Sequence, residues 1–134
     1  MNIKYKIPAI LYSILIFFLS SIPQSKLPPV RLISFDKIAH LIEYLLYGMT
    51  LMLAFSRSTS DKIINNAFKL SLITGIIYAA TDEIHQLYVP GRDFSIFDFA
   101  ADAAGVFLGV YLFTKIIKHK TDPEELIYQS TTHK

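Results

Sequence analysis

The sequence predicts an all-α integral membrane protein built as a bundle of four transmembrane helices. The chain of 134 residues is 52% hydrophobic, with a mean hydropathy of +0.40, which is too apolar for a soluble domain of this length. Its apolar residues fall into four runs, each near the length that crosses a bilayer. Within these runs the polar residues recur at helical spacing.

Composition also excludes several kinds of site. The chain has no cysteine, so it contains no disulfide, no thiolate metal site and no cysteine nucleophile. Its net charge is +2, and its basic residues flank the apolar runs instead of forming a patch of their own. We therefore expect membrane lipid, and no nucleic acid, as a partner.

The four predicted spans are about residues 7–25, 36–55, 66–87 and 96–117. The first has no charged residue and follows Lys4 and Lys6. A signal peptide also begins in this way, but the run lacks a small-x-small cleavage site, which favours a span. Pro28 and Pro29 then interrupt the helix, and we expect this loop to lie along the membrane surface. Residues 118–134 are predicted to be a polar cytoplasmic tail.

The second predicted span carries a polar stripe on an apolar body. At 3.6 residues per turn the stripe contains Asp36, His40, Glu43 and Tyr47. Lys37 and Tyr44 lie beside it. Such a stripe should face the interior of the bundle, where other groups or water can satisfy it.

The third predicted span is apolar in its first half and polar in its second half. One side of the helix presents Tyr78, Asp82, His85 and, less closely, Gln86. The same spacing predicts that Glu83 points elsewhere. Ionisable residues inside a span are costly, and so they indicate a functional site.

The fourth predicted span follows a turn at Pro90-Gly91. Ser95, with Asp98 three residues later, is similar to a capping box and predicts the start of the helix. One continuous face of this helix carries Asp98, Asp102, Gly105 and Gly109. The two glycines form a G-x-x-x-G pair, which is typical of close contact between membrane helices.

The distribution of basic residues predicts that both termini are cytoplasmic. Four spans place the termini on one side, together with the basic residues Lys4, Lys6, Arg57, Lys62, Lys69, Lys115, Lys118 and Lys120. The other side has Lys26, Arg31, Lys37 and Arg92. Since basic residues favour the cytoplasmic side, three polar helix ends would meet in the outer leaflet and form a pocket beneath the loop of Arg92.

Three blocks of residues resemble the VanZ-like family of small bacterial membrane proteins. They are D-K-x-x-H-x-x-x-Y from Asp36, D-E-I-H-Q-L-Y-V-P-G-R from Asp82, and D-x-x-x-D-x-x-G-x-x-x-G from Asp98. Family members often have Asn where this chain has Asp102. The resemblance implies a bacterial cytoplasmic membrane protein of the cell envelope that contributes to resistance to glycopeptide antibiotics of the teicoplanin type.

The residues leave the type of function open. The protein either binds a lipid-linked ligand, a cell-wall precursor or a glycopeptide antibiotic in the pocket, or is a membrane-embedded hydrolase or transferase acting on a lipid-linked envelope substrate. For an enzyme, the expected catalytic residues are Asp82, Glu83, His85 and Asp98. Ligand binding is expected from Lys37, Gln86 and Arg92. One divalent cation could be held by His40, Asp82, Asp98 and Asp102.

A purely structural interpretation competes with both functions. In that case Arg92 would pair with Asp98, Lys37 with Asp82, and a histidine with a carboxylate, and the network would only fix the helix register. Transport is a weaker alternative, because four spans leave little room for a pore. Tyr44 and Tyr88 are expected to be interfacial anchors.

Overall fold

The structure is a computed structural model that describes residues 3–26 and 33–120. In these ranges the chain is almost entirely helical and contains no strand, as the sequence predicts. The α-helices are α1 (Ile7–Ser20), α2 (Ile33–Ser56), α3 (Asp61–Asn65), α4 (Ala67–Gln86) and α5 (Ile96–Lys120). Short 3-10 turns at Ile3–Tyr5 and Gln24–Lys26 flank α1.

Three segments of the described chain are long and apolar enough to cross a membrane. They are Ile3–Ser20, Asp36–Ser56 and Ile96–Ile117. The last two agree closely with the predicted second and fourth spans. Large apolar side chains of α1 are exposed, including Leu11 at 61% and Phe18 at 63%. A surface of this kind is typical of a helix that faces lipid.

Helix α4 coincides with the predicted third span but is not among these three segments. It has 20 residues and is therefore about 30 Å long, which is sufficient to cross the hydrocarbon core. However, Lys69 lies near its start, and Asp82 and Glu83 lie near its end. These charges confine its apolar part to residues 70–81.

The extent of the helices differs from the predicted spans in two places. The first helix ends at Ser20, not near residue 25, because Pro23 disfavours helical backbone in the residue before it and cannot continue the helix. The polar connection after α2 contains α3, a short helix that lies between the predicted second and third spans. The expected surface loop at Pro28 and Pro29 and the tail beyond Lys120 lie outside the described residues.

Helices α2 and α5 lie parallel and are the most closely packed pair. Gly48 of α2 lies against the backbone of Val106. On α5, Gly105 and Gly109 lie against the backbone of α2 around Leu41, Leu45 and Met49. The G-x-x-x-G pair therefore lets two helix backbones approach, as its spacing predicts.

Helices α1 and α4 pack against this pair. The Tyr78 hydroxyl donates a hydrogen bond to the Ser13 carbonyl at 2.6 Å, and the Ser13 hydroxyl donates to Tyr47 at 3.2 Å. These bonds lie near the middle of α1, α2 and α4. Ser21 lies against His85, and Glu83 accepts a hydrogen bond from the N–H of Ser95, so α1 and α4 end where α5 begins. Helix α2 begins at the same end, since Lys37 pairs with Asp98.

Candidate functional site

The polar ends of α2, α4 and α5 converge, as the helical spacing predicts. His40 Nδ1 lies 3.0 Å from Asp102 Oδ1 and joins α2 to α5. Lys37 forms an ion pair with Asp98 between the same two helices. The end of α4 reaches the start of α5, where a carboxylate oxygen of Glu83 accepts a hydrogen bond from the backbone N–H of Ser95 at 2.8 Å.

The start of α5 is fixed by two side chains. The Ser95 hydroxyl accepts a hydrogen bond from the backbone N–H of Asp98 at 3.2 Å, which caps the helix in the predicted way. The backbone N–H of Ser95 donates its hydrogen bond to Glu83, which belongs to α4. In a capping box the acceptor of this bond would be an acidic side chain of α5 itself. The cap places Asp98 and Asp102 on the face of α5 that meets α2.

A cavity of about 170 Å³ opens beside this junction. Its polar lining comes from four parts of the chain and consists of Ser20, Asp36, His40, Glu43, Asp82, Gln86 and Arg92. Ile16, Leu19 and Ile22 contribute an apolar wall around the end of α1. The cavity therefore combines ionisable groups with a surface that suits a hydrocarbon chain.

Asp82 is buried in this cavity, with 6% of its surface exposed. The Ser20 hydroxyl, the Tyr44 hydroxyl and the Gln86 amide lie around its carboxylate. None of these three groups forms a hydrogen bond of good geometry within the described part of the chain. Asp82 thus has polar neighbours that can adjust to a bound water or ligand.

The site contains more acidic than basic groups. Its carboxylates are Asp36, Glu43, Asp82, Glu83, Asp98 and Asp102, and its permanent cations are Lys37 and Arg92. One oxygen atom each of Glu43, Glu83 and Asp102 is buried without a hydrogen-bond partner among the described residues. Since buried polar atoms are nearly always satisfied, this excess indicates that the site accommodates further donors or a cation.

Among residues 3–26 and 33–120, two groups of three residues offer ligand atoms that lie within 4.8 Å of one another. One consists of Asp36, His40 and Asp98, and the other of His40, Glu83 and Asp102. Of the predicted metal ligands, His40, Asp98 and Asp102 belong to these groups. Asp82 belongs to neither group, although it lines the adjoining cavity.

Only some of the predicted catalytic and binding residues line the cavity. Asp82, Gln86 and Arg92 line the cavity. His85 lies apart from the carboxylates, since its Nε2 atom is 3.0 Å from the Ser21 hydroxyl and its ring packs on Phe17. Within the described residues no hydrogen bond joins His85 to Asp82, Glu83 or Asp98, the other predicted catalytic residues.

Glu83 points away from the side of α4 that carries Asp82, as the spacing predicts, and is fully buried against the start of α5. The predicted position of Tyr44 was wrong. Tyr44, expected at the membrane interface, is fully buried beside Asp82 because it lies one helical turn after His40 on the same face. Tyr88 is 81% exposed, and its role as an interfacial anchor stays a prediction.

The ion pairs also differ from those of the purely structural interpretation. Lys37 pairs with Asp98 and lies 3.8 Å from Asp36, instead of pairing with Asp82. Arg92, which was expected on Asp98, forms no ion pair within residues 3–26 and 33–120, and its Nε atom has no hydrogen-bond partner there. Arg92 is therefore available to an anionic group in the cavity.

The family model described as VanZ/LLP1 matches residues 4–118. The chain belongs to the VanZ/LLP1 family. The match includes all three blocks that carried the resemblance in the sequence, as well as α1. With its apolar helices, this VanZ-type chain is a membrane protein. Comparison with curated proteins gave no match, and comparison with solved structures gave none either.

Proposed function

We propose that this VanZ/LLP1 protein is a membrane-embedded hydrolase that acts on the phosphoryl group of a lipid-linked envelope substrate. The observation that supports this most is the convergence of buried carboxylates and His40 on a cavity that also contains Arg92. A site that only bound an anionic head group would not surround it with so many carboxylates, since like charges repel. Acidic groups beside a phosphoryl group are useful when they move protons or hold a cation.

Each part of the cavity has a role in this proposal. Arg92 binds a phosphoryl oxygen through its guanidinium, whose Nε atom has no partner among the described residues. The apolar wall around the end of α1 receives the start of the lipid chain. Asp82 accepts a proton from a water molecule as the water oxygen attacks phosphorus. The bond between phosphorus and the leaving oxygen breaks, and the leaving oxygen takes up a proton from the solvent-connected cavity.

The proposal places this site in the outer leaflet of the bacterial cytoplasmic membrane, with four spans and both termini in the cytoplasm. The parallel arrangement of α2 and α5 supports four spans, because a chain that crosses twice in the same direction must recross between them. Helix α4 is long enough to do so. Between residues 70 and 80 its exposed side chains, such as Ile73 and Ile77, are apolar, whereas Asp82 and Glu83 face the bundle interior.

Single cysteines test this topology, since the natural chain has no cysteine. We compare Thr59→Cys and Asp93→Cys, which lie at exposed positions before and after α4, with Ile73→Cys in its middle. In spheroplasts, a membrane-impermeant maleimide should label only Asp93→Cys. Thr59→Cys should react after lysis, and Ile73→Cys only after denaturation. Labelling of Thr59→Cys and Asp93→Cys from the same side would contradict the four-span topology.

The second candidate is non-covalent binding of an envelope ligand, which is favoured by the unpaired Arg92 beside an apolar wall. A cavity of about 170 Å³ suits a phosphoryl head group. It is small beside the roughly 300–1,000 Å³ of pockets that enclose drug-sized molecules. A lipid-linked cell-wall precursor is therefore a better ligand than a whole glycopeptide antibiotic. Under either function, a contribution to teicoplanin-type resistance would follow from a change in the supply of such precursors.

The test is incubation of the purified protein, in mild detergent and ¹⁸O-labelled water, with polyprenyl monophosphate, polyprenyl diphosphate and a lipid-linked cell-wall precursor. Hydrolysis should release a phosphate-containing product that carries one ¹⁸O atom. Saturable binding of the same lipids without any product would instead support the second candidate. The absence of both a product and saturable binding would contradict both candidate functions.

A further inference from the structure

We propose that His40, Glu83 and Asp102 form a binding site for one divalent transition-metal cation, of the Zn²⁺ or Mn²⁺ type. The site deepens the proposed hydrolase function, although the argument for it rests on the geometry alone. Its three residues come from α2, α4 and α5, so the cation would join the three helices at one point. The set predicted from sequence contained His40 and Asp102 but had Asp82 and Asp98 where the structure has Glu83.

The three side chains are close enough to share an ion. Their ligand atoms lie within 4.8 Å of one another. Two ligands of one tetrahedral ion lie about 3.4 Å apart at bond lengths of about 2.1 Å. His40 and Asp102 are already near this spacing, and Glu83 needs to approach by at most about 1.4 Å, which rotation of its side chain could supply.

Buried carboxylate oxygens without partners support a cation at this point. Glu83 and Asp102 are both fully buried. One oxygen of each has no hydrogen-bond partner in the described part of the chain, while the other accepts from Ser95 or from His40. An ionised carboxylate in such a place is costly unless a positive charge compensates it. A divalent cation between the two would supply that charge.

The orientation of His40 fits the same site. His40 Nδ1 lies 3.0 Å from Asp102 Oδ1, so these two atoms can bind one ion side by side. In that arrangement Nε2 carries the proton of the neutral imidazole, and Nδ1 keeps its lone pair for the metal. One imidazole with carboxylates favours Zn²⁺ or Mn²⁺ over Mg²⁺ or Ca²⁺. Three protein ligands leave a coordination position for water or a phosphoryl oxygen.

The neighbouring group of Asp36, His40 and Asp98 is a poorer site because a cation already occupies its position. The Lys37 ammonium pairs with Asp98 and lies 3.8 Å from Asp36. The Asp36 side chain is also 41% exposed, so its charge is largely solvated. This difference gives a matched control, since Asp36→Asn removes an acid from the same helix face that is not one of the three proposed ligands.

The test is calorimetric titration of the metal-stripped, purified protein with Mn²⁺ and with Zn²⁺, in the absence of any lipid substrate. We expect one ion per chain, at least about tenfold weaker binding in Glu83→Gln and Asp102→Asn, and unchanged binding in Asp36→Asn. To allow for a site variant that folds poorly, the second measurement uses the natural protein alone. Its Mn²⁺ complex should show magnetic coupling to one imidazole nitrogen in pulsed electron paramagnetic resonance, and the ion should raise its melting temperature.

Two results would overturn the site. One is the absence of saturable binding to the folded natural protein. The other is loss of binding in Asp36→Asn equal to that in Glu83→Gln, which would assign the ion to the neighbouring group. Because no lipid is present, these outcomes are independent of hydrolysis. A protein that binds the ion but releases no product would retain the metal site and lose only the hydrolase function.

Discussion

Replacement of Asp82 by Asn is expected to lower the turnover of a lipid-linked phosphate about 10²–10⁴-fold while leaving the bundle folded. Asp82 is the buried carboxylate that lines the cavity and lies outside the proposed metal site. Its amide analogue keeps the shape and the polar neighbours but cannot accept a proton from water. We therefore expect kcat to fall, with little change in KM or in melting temperature.

Asp93→Asn is the matched control for this variant, because Asp93 is an exposed acid near the same end of the bundle and not part of the cavity. Its turnover should equal that of the natural protein. Asp82→Glu should recover part of the lost activity, since it restores a proton acceptor in a slightly shifted place. If Asp82→Asn kept full turnover, Asp82 would not be the base, and the carboxylates would have only structural or metal-binding roles.

The convergence of the polar residues could be predicted from the sequence because helical spacing and alternating span directions are enough to define it. Asp36 and His40 open one span, Asp82 closes the next, and Asp98 and Asp102 open the last. If these helices run alternately through the membrane, all three polar ends have the same depth. The contact between His40 and Asp102 is the result.

The role of Glu83 could not be predicted because a single polar stripe was assumed for each helix. Asp82 and Glu83 are consecutive, and so they point about 100° apart around the helix axis. Helix α4 packs on one side against α1 and α2, near Ser20 and Tyr44, and on the other against the start of α5 at Ser95. A helix between two neighbours has two buried faces, and the spacing alone did not reveal the second.

The ion pairs within the site could not be predicted from the sequence either. The purely structural interpretation of the sequence paired Lys37 with Asp82. The close approach of α2 and α5 at Gly105 brings Lys37 to Asp98 instead. Distances between helices depend on which small residues face each other, and that is decided by the whole interface and not by one motif.

Hydropathy identifies most of the candidate spans, and it also explains why α4 is not recognised as one. Three helices are recognised as candidate spans because each contains a long apolar stretch with at most two charged residues. In α4 the charges that lower its hydropathy, Asp82 and Glu83, are turned inward. Average hydropathy cannot separate a charge that faces lipid from one that faces a polar site, and so it does not recognise α4 as a span.

Replacement of Gly109 by Leu is expected to destabilise the bundle by about 3 kcal/mol or more, the upper end of the cost of overpacking. A Cβ atom at Gly109 would lie 3.1 Å from the backbone nitrogen of Met49 and closer still to the carbonyl group of Leu45. Backbone atoms inside a helix cannot turn aside as a side chain can, so α5 would have to move away from α2. Ala104→Leu, at an exposed position of the same helix, is the control and should change the melting temperature little.

The smaller change Gly109→Ala tests whether metal binding depends on the packing of α5 against α2. Gly109 and Asp102 lie on one face of α5, so a shift of the helix that relieves the contact with Leu45 also moves Asp102 away from His40. We expect this variant to remain folded in detergent and yet to bind Mn²⁺ more weakly, because a metal site tolerates displacements of only a few tenths of an ångström. Unchanged metal affinity together with a lower melting temperature would mean that the helix contact and the polar site are independent. The proposed geometry predicts that they are coupled, since the two glycines hold α5 at the distance from α2 at which Asp102 reaches His40.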